Sequence, residues 1–162
     1  MAETAPHRTW TRAAYLAYER DADAKHVLWD GELFAMAGAT REHNLLVAAL
    51  LLELGAQLRG QPCRPYASDQ RIAVPDGDRY VYPDASVTCP PVQTDPDDEQ
   101  TIRNPRVIAE VLSESTEAFD RGDKWLGYQR IESLSDYLLV SQKTRRVEHY
   151  TRQPGGPHDA AA

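Results

Sequence analysis

Long apolar runs are missing from this 162-residue sequence. The longest uninterrupted one extends only from Leu45 to Leu52, well short of the roughly 20 residues that a membrane-spanning helix needs. The first ten residues contain a single arginine and no apolar segment of the kind found in secretory signals. We therefore expect a protein without a membrane segment that is located in the cytoplasm.

Cysteine and positive charge are also scarce. The two cysteines, Cys63 and Cys89, lack metal-ligand spacing and are too few for a disulfide scaffold, so we interpret both as free, buried thiols. The formal net charge of −7 opposes non-specific binding to phosphate backbones. A nucleic-acid ligand would therefore need basic residues concentrated around its site. The candidates for such a basic rim are Arg71, Arg103, Arg121 and Arg130.

The composition is otherwise that of a soluble globular protein, with 41% hydrophobic and 27% charged residues. A chain of this length is expected to form one domain with its own core. We expect residues 1–153 to form that single domain and residues 154–162 to be a disordered or truncated tail.

The order of the predicted elements indicates a mixed fold. Thr9 or Thr11 can cap a first helix, and Thr40 can cap a long helix whose leucines recur at helical spacing. Asp30-Gly31 predicts a hairpin within residues 27–37. The remaining predictions are strands at residues 68–74, 80–88 and 105–112, a helix around 120–131, and a hairpin of 136–141 with 144–152. This order predicts an α/β or α+β fold with a central mixed β-sheet flanked by helices.

One of these strands carries a carboxylate among apolar residues. In the segment PRVIAEVL, Glu110 shares a strand face with Ile108 and Leu112. A buried carboxylate is costly unless it is paired or binds a metal. A position at the water-exposed end of the strand is the alternative, and the strand pattern alone does not decide between them.

A second carboxylate pair is suggested by the turn at Asp76-Gly77. A hairpin centred there pairs residues whose numbers sum to 153, which places Asp69 opposite Asp84. Carboxylates that face each other at about 5 Å repel unless a cation lies nearby, and a hard divalent ion takes oxygen ligands. The alternative is a slipped register, for which Pro83 provides a cause.

Lys124 follows Asp120 by four residues on the next predicted helix. The two can form an ordinary ion pair on a solvated helix face. If Lys124 instead points toward the carboxylates, its ammonium group could orient an attacking water and stabilise charge on a phosphate. Candidates for weaker, supporting roles are His43, Glu32 and Tyr82. Nucleotide-binding, serine hydrolase and zinc protease motifs are absent.

The sequence resembles the Uma-type restriction endonuclease family in the segments FAMAGATREHN, ASDQRIAVPDGDRYVYPDASV, AEVLSESTEAFDRGDKWLGYQRI and LSDYLLVSQKTRRVEHYTR. The similarity extends from about Trp10 to Arg152. It implies a restriction-endonuclease-like fold of the PD-(D/E)XK nuclease superfamily. It also implies a homodimer that hydrolyses nucleic acid with Mg²⁺ or Mn²⁺.

The resemblance also assigns site residues. Pro83-Asp84 matches the family's PD, and Glu110 matches its second acidic position. The lysine expected two residues later is Leu112 here, and Lys124 on the following helix matches the displaced lysine. Relatives usually continue past the last hairpin with another apolar strand region, from which this chain departs.

The leading hypothesis is a metal-dependent endonuclease that cuts DNA. Asp84 and Glu110 would bind the metal, Lys124 would position the water, and Asp69 would support the site. A catalytically inactive nucleic-acid-binding or regulatory module that retains the fold is the main alternative. A glycosidase-type hydrolase using Asp69 and Asp84 ranks last, because only 8% of the residues are aromatic.

Overall fold

The computed structural model of the chain describes residues 9–154 and 158–161. Within these residues the helices are α1 (Arg12–Arg20), α2 (Arg41–Gln57), α3 (Glu117–Arg121) and α4 (Asp123–Tyr128). The strands of the first half are β1 (His26–Trp29), β2 (Glu32–Ala35), β3 (Arg64–Ala67), β4 (Ile72–Val74), β5 (Arg79–Val81) and β6 (Ala85–Thr88). Those of the second half are β7 (Thr94–Asp95), β8 (Asp98–Ile102), β9 (Pro105–Val111), β10 (Asp136–Val140), β11 (Val147–Arg152) and β12 (His158–Ala161).

The described strands form two six-stranded mixed sheets. Sheet A has the order β2-β1-β5-β4-β8-β7, and sheet B has the order β12-β11-β10-β9-β6-β3. Each contains one parallel pair, β4 with β8 in sheet A and β9 with β10 in sheet B. The expected mixed α+β fold is confirmed, although its strands are divided between two sheets.

Local sequence signals account for the helix starts and the tight turns. The Thr11 hydroxyl accepts a hydrogen bond from the Ala14 amide, and the Thr40 hydroxyl accepts one from the His43 amide. These are the N-caps of α1 and α2. Asp30 and Gly31 both have positive φ in the β1–β2 hairpin, as a two-residue hairpin turn requires. The predicted caps and this hairpin are therefore correct.

The main core lies where the two sheets and α4 meet. It combines Val27, Trp29, Ile72, Val74, Val81 and Ile102 of sheet A with Ile108, Tyr137 and Leu139 of sheet B and Tyr128 of α4. Alternate residues of sheet A face the other way, and α1 covers them with Tyr15 and Leu16. Gly127 lets α4 approach sheet A, because a Cβ at that position would lie 2.6 Å from Trp29 Cη2.

Helix α2 lies at the surface of the protein, and none of its residues is fully buried. Leucines occur on both sides of it, and on the outer side Leu45 and Leu52 are 64% and 74% exposed. Among the residues described, no helix is both long and apolar enough to cross a membrane.

Three expectations need correction or qualification. Cys63 and Cys89 are bonded to each other as a disulfide, so their interpretation as free thiols is wrong. Because disulfides are uncommon in the cytosol, a cytoplasmic location stays a prediction. In the expected tail, His158–Ala161 forms β12 antiparallel to β11, while residues 155–157 and 162 lie outside the described residues.

Candidate active site

One edge of sheet B brings the predicted acidic residues together. Strands β6 and β9 are antiparallel, and Ala85 pairs with Ala109. Asp84 immediately precedes β6, and Glu110 follows Ala109, so the two residues lie opposite each other at this edge. The Asp84 amide donates to Glu110 Oε2 at 3.3 Å. In return, the Val111 amide donates to Asp84 Oδ2 at 2.7 Å.

Glu110 is a buried carboxylate with several partners. Its side chain is covered by α4, and only 3% of the residue is exposed. Glu110 Oε1 lies 2.8 Å from Lys124 Nζ and accepts a hydrogen bond from the Tyr128 hydroxyl at 2.9 Å. Burial raises the pKa of Glu110 to about 7; Lys124 acts against this rise, while Asp120 and Asp84 add to it.

Lys124 is buried between two carboxylates rather than on a solvated helix face. Its ammonium group contacts Glu110 and also donates to Asp120 Oδ1 at 3.0 Å. Asp120 is itself 2% exposed. Burial lowers the pKa of Lys124, but the negative charges of Glu110 and Asp120 outweigh it and raise the pKa above its ordinary value. The two carboxylates therefore favour the charged form of Lys124.

His43 connects helix α2 to this cluster. Its Nε2 lies 3.3 Å from Asp84 Oδ2, and both side chains are mostly buried. The Nδ1 atom of His43 is buried and has no hydrogen-bond partner among the described residues. The Thr40 hydroxyl accepts a hydrogen bond from the His43 amide, so the cap that starts α2 also fixes the backbone that carries this imidazole.

Comparisons with known proteins identify the family. The family model described as "Uma2: Putative restriction endonuclease" matches residues 12–160. The chain belongs to the Uma2 family. This result confirms the sequence resemblance, and together with the fold it indicates a restriction-endonuclease-like nuclease.

Similar proteins are found in cyanobacteria. Uncharacterized protein slr1290 of Synechocystis is 35% identical over 94% of this chain and 80% of the relative. Uncharacterized protein sll1609 of the same organism is 34% identical over 94% of this chain and 86% of the relative. The crystal structure of a putative nuclease belonging to DUF820 from Anabaena variabilis superposes with a TM-score of 0.74. It covers 93% of this chain and 83% of that chain at 15% identity, so it supports the fold alone.

Three supporting candidates of this Uma2-family chain have their described contacts elsewhere. The exposed Asp69 pairs with Lys25, at 2.9 Å. Glu32 is an exposed residue of the β1–β2 hairpin, opposite Trp29. The Tyr82 hydroxyl donates to Glu19, at 2.9 Å, beneath α1.

The expected pairing of Asp69 with Asp84 is wrong. The predicted register is correct in the hairpin itself, where Ile72 pairs with Val81. Pro83 cannot donate to a strand ladder, however, and beyond it the chain enters sheet B as β6. The paired carboxylates on which the glycosidase hypothesis depended are therefore not present.

Three of the four arginines expected around the site form ion pairs with carboxylates outside the acidic cluster. Arg71 contacts Asp98. Arg121 binds Glu148 through two nitrogen atoms, at 2.7 and 2.8 Å, and Arg130 lies 3.3 Å from Asp76. The fourth, Arg103, is exposed in the turn before β9, at the end of that strand opposite to Glu110.

Two residues of the cluster were missed from the sequence. Asp120 was considered only as a surface partner of Lys124, and Tyr128 was not considered. A signal was available in the four-residue spacing of Asp120, Lys124 and Tyr128, which would place them on one face of a continuous helix, although the structure puts Asp120 on α3 and the other two residues on α4. Burial of all three on the side of Glu110 makes that face part of the site.

The described residues contain no group of three or more His, Cys, Asp or Glu side chains arranged as a metal site. Asp84 and Glu110 would then be the protein ligands of a metal ion. Two carboxylates suit Mg²⁺, which proteins often hold through one or two carboxylates, with water and phosphate oxygens in the remaining positions.

Proposed function

We propose that this chain is an endonuclease that hydrolyses phosphodiester bonds of DNA and depends on Mg²⁺ or Mn²⁺. Asp84 and Glu110 would hold the ion, and Lys124 would supply a fixed positive charge. The observation that carries the proposal is the contact of buried Glu110 with the buried ammonium group of Lys124, next to Asp84 at one sheet edge.

The charges of the cluster favour a cation. Asp84, Glu110 and Asp120 bring three carboxylates to one partly buried region, and Lys124 provides one ammonium group. The raised pKa of Glu110 reflects this burial and excess of negative charge. When bound, a divalent ion supplies a Lewis acid that polarises the phosphoryl group and makes water a better nucleophile.

The protein residues have separate tasks in this scheme. The Tyr128 hydroxyl and Lys124 hold Oε1 of Glu110, which leaves Oε2 on the side of Asp84. The Val111 amide fixes Asp84 Oδ2. Because Glu110 and Asp120 favour its charged form, Lys124 would orient water or stabilise phosphate charge as a hydrogen-bond donor.

A supercoiled-plasmid nicking assay tests this proposal. Wild-type protein should nick the plasmid with Mg²⁺ or Mn²⁺ and fail in EDTA, while Asp84→Asn and Glu110→Gln should lose nicking by about a hundredfold or more. Asp69→Asn is the matched control, since it neutralises an exposed carboxylate and should retain full activity. Nicking that survives in EDTA or in Asp84→Asn would contradict the proposed site.

The inactive DNA-binding module remains the second candidate because of one observation. Lys124 is almost closed off by its two carboxylate partners, so it would have to exchange a partner to contact substrate. Under this alternative, wild-type protein binds DNA but does not nick it with either ion. Isothermal titration with Mn²⁺ then reports whether Asp84 and Glu110 bind metal without turnover.

We also propose that the protein is a homodimer, as the family resemblance implies. The exposed leucines on the outer side of α2, Leu45 and Leu52, support this proposal, because contiguous exposed apolar surface often marks an interface. Light scattering after size exclusion gives the mass. Leu45→Glu with Leu52→Glu should shift a dimer to the monomer.

A further inference from the structure

The turn between β10 and β11, residues 141–146, lies at the same sheet edge as the acidic cluster. Strand β10 runs parallel to β9 with Leu139 opposite Glu110. Strand β11 then starts with Val147 opposite Val140. Since neighbouring strands are about 5 Å apart, the turn projects one to two strand spacings from the strand that carries Glu110.

Side-chain hydrogen bonds fasten this turn to the site. Gln142 Nε2 donates to the Leu112 carbonyl at 2.7 Å, and the Thr40 hydroxyl donates to Gln142 Oε1 at 3.2 Å. Within the turn, Ser141 Oγ accepts from the amides of Lys143 and Thr144, both at 3.2 Å. The turn is thus held between the end of β9 and the start of α2 before any ligand arrives.

The turn carries a dense positive charge in an acidic protein. Lys143, Arg145 and Arg146 occupy three of four successive positions, and all are exposed. Lys143 pairs with the exposed Glu114 at 3.2 Å, and Arg146 lies 3.6 Å from Glu148. The pair of Lys143 with Glu114 is exposed on both sides, and such pairs are weak and exchange readily for another anion. Glu148 is held by Arg121 through two nitrogen atoms at 2.7 and 2.8 Å, and its contact with Arg146 is longer. Arg41, next to the Thr40 anchor, adds a further cation that is 86% exposed, and its partner Glu42, at 3.1 Å, is exposed as well.

We infer that the turn 141–146, together with Arg41, binds the phosphate backbone of duplex DNA and holds it across the acidic cluster. The inference rests on the proposed function, since it takes DNA as the substrate. The Ser141 amide donates to the Arg146 carbonyl at 3.0 Å and closes the turn, so its three cations are concentrated at one place beside the acidic cluster. Contacts of this kind position a duplex without reading its sequence.

Fluorescence anisotropy of a short labelled DNA duplex in EDTA tests the inference without any cleavage. The test variant is Lys143→Ala/Arg145→Ala/Arg146→Ala. The control is Arg20→Ala/Arg59→Ala/Arg103→Ala, which removes the same charge from exposed positions elsewhere. We expect the test variant to lose about tenfold or more in affinity, and the slope of log K against log salt to fall by about 2–3. The control should change both quantities much less.

Equal losses in the two triple variants would overturn the inference, because net charge alone would then explain binding. Unchanged binding by the test variant, absence of duplex binding by wild-type protein at low salt, or a preference for RNA of the same sequence would also overturn it. If the triple variant does not fold, Arg145→Glu keeps the anchoring Ser141 and Gln142 and should weaken binding. Binding through the turn without nicking in Mg²⁺ or Mn²⁺ would refute the proposed nuclease and leave this inference standing.

Discussion

Removal of the Lys124 ammonium group should destabilise the protein far more than removal of an ordinary surface lysine. Lys124→Ala leaves Glu110 and Asp120, which are 3% and 2% exposed, without their common cation. Two like charges would then face each other in a region that water barely reaches. Breaking a buried ion pair by deleting one partner typically costs about 3–5 kcal/mol.

The size of this effect is large relative to the total stability of a domain, which is about 5–15 kcal/mol. For a chain of this size, 1 kcal/mol corresponds to about 2–4 °C in Tm. We therefore expect Lys124→Ala to lower Tm by roughly 6–20 °C. Lys143→Ala removes a lysine whose only described pair is exposed on both sides, and it should cost less than about 1 kcal/mol.

Urea denaturation followed by tryptophan fluorescence measures both variants under the same conditions. A rescue variant completes the design: Lys124→Met with Glu110→Gln and Asp120→Asn replaces the charged cluster with neutral groups and should recover most of the loss. A loss for Lys124→Ala no larger than that of Lys143→Ala would refute the reasoning. In that case water or a rearranged side chain would be compensating the two carboxylates.

Three further variants test other parts of the fold. Hydrogen bonds from Arg121 lower the pKa of Glu148 to about 2, so this carboxylate stabilises the fold above its ordinary pKa of 4.5, and the contribution disappears as the pH falls toward 2. Thermal unfolding between pH 5 and 2.5 should therefore change less in Glu148→Gln than in wild-type protein. Gly127→Ala places a Cβ 2.6 Å from Trp29 and should cost about 1–3 kcal/mol in urea denaturation. Gly55→Ala in α2, where the new Cβ meets nothing within 4 Å, should instead stabilise the protein by up to about 1 kcal/mol.

Those elements whose signals are local could be predicted from the sequence. Thr11 and Thr40 cap their helices through their own side chains, and Asp30-Gly31 forms its hairpin with the backbone angles that such a pair favours. Glu110 was recognisable because a charge in an apolar strand requires a partner. Its nearness to Asp84 came from the family resemblance, since the hairpin register had suggested another pairing for Asp84.

The remaining features depend on contacts between distant parts of the chain. The hairpin rule is correct for Ile72 and Val81, but it cannot tell that the chain changes sheets after Pro83. Cys63 and Cys89 are brought together because β3 and β6 are neighbours in sheet B, an arrangement that cysteine spacing does not reveal. The four-residue spacing suggests one helix face for Lys124 and Asp120, but the structure places Asp120 on α3 and Lys124 on α4, and only the packing of the two helices shows that both residues are buried.

The distribution of charge explains how a chain with a net charge of −7 could still act on a polyanion. Several of its arginines form ion pairs within the protein, as Arg71 does with Asp98. These arginines do not provide positive charge to an external ligand. The acidic cluster around Glu110 would itself repel a phosphate, so any approach to it needs positive charge from elsewhere.

A divalent ion at Asp84 and Glu110 would provide that charge at the cleavage point, and the turn 141–146 would provide it along the duplex. The two sources would act at different distances, since a metal ion would contact the phosphate directly while exposed lysine and arginine act over a Debye length of about 8–10 Å. Raising the salt concentration should therefore weaken duplex binding much more than it weakens metal binding at the carboxylates.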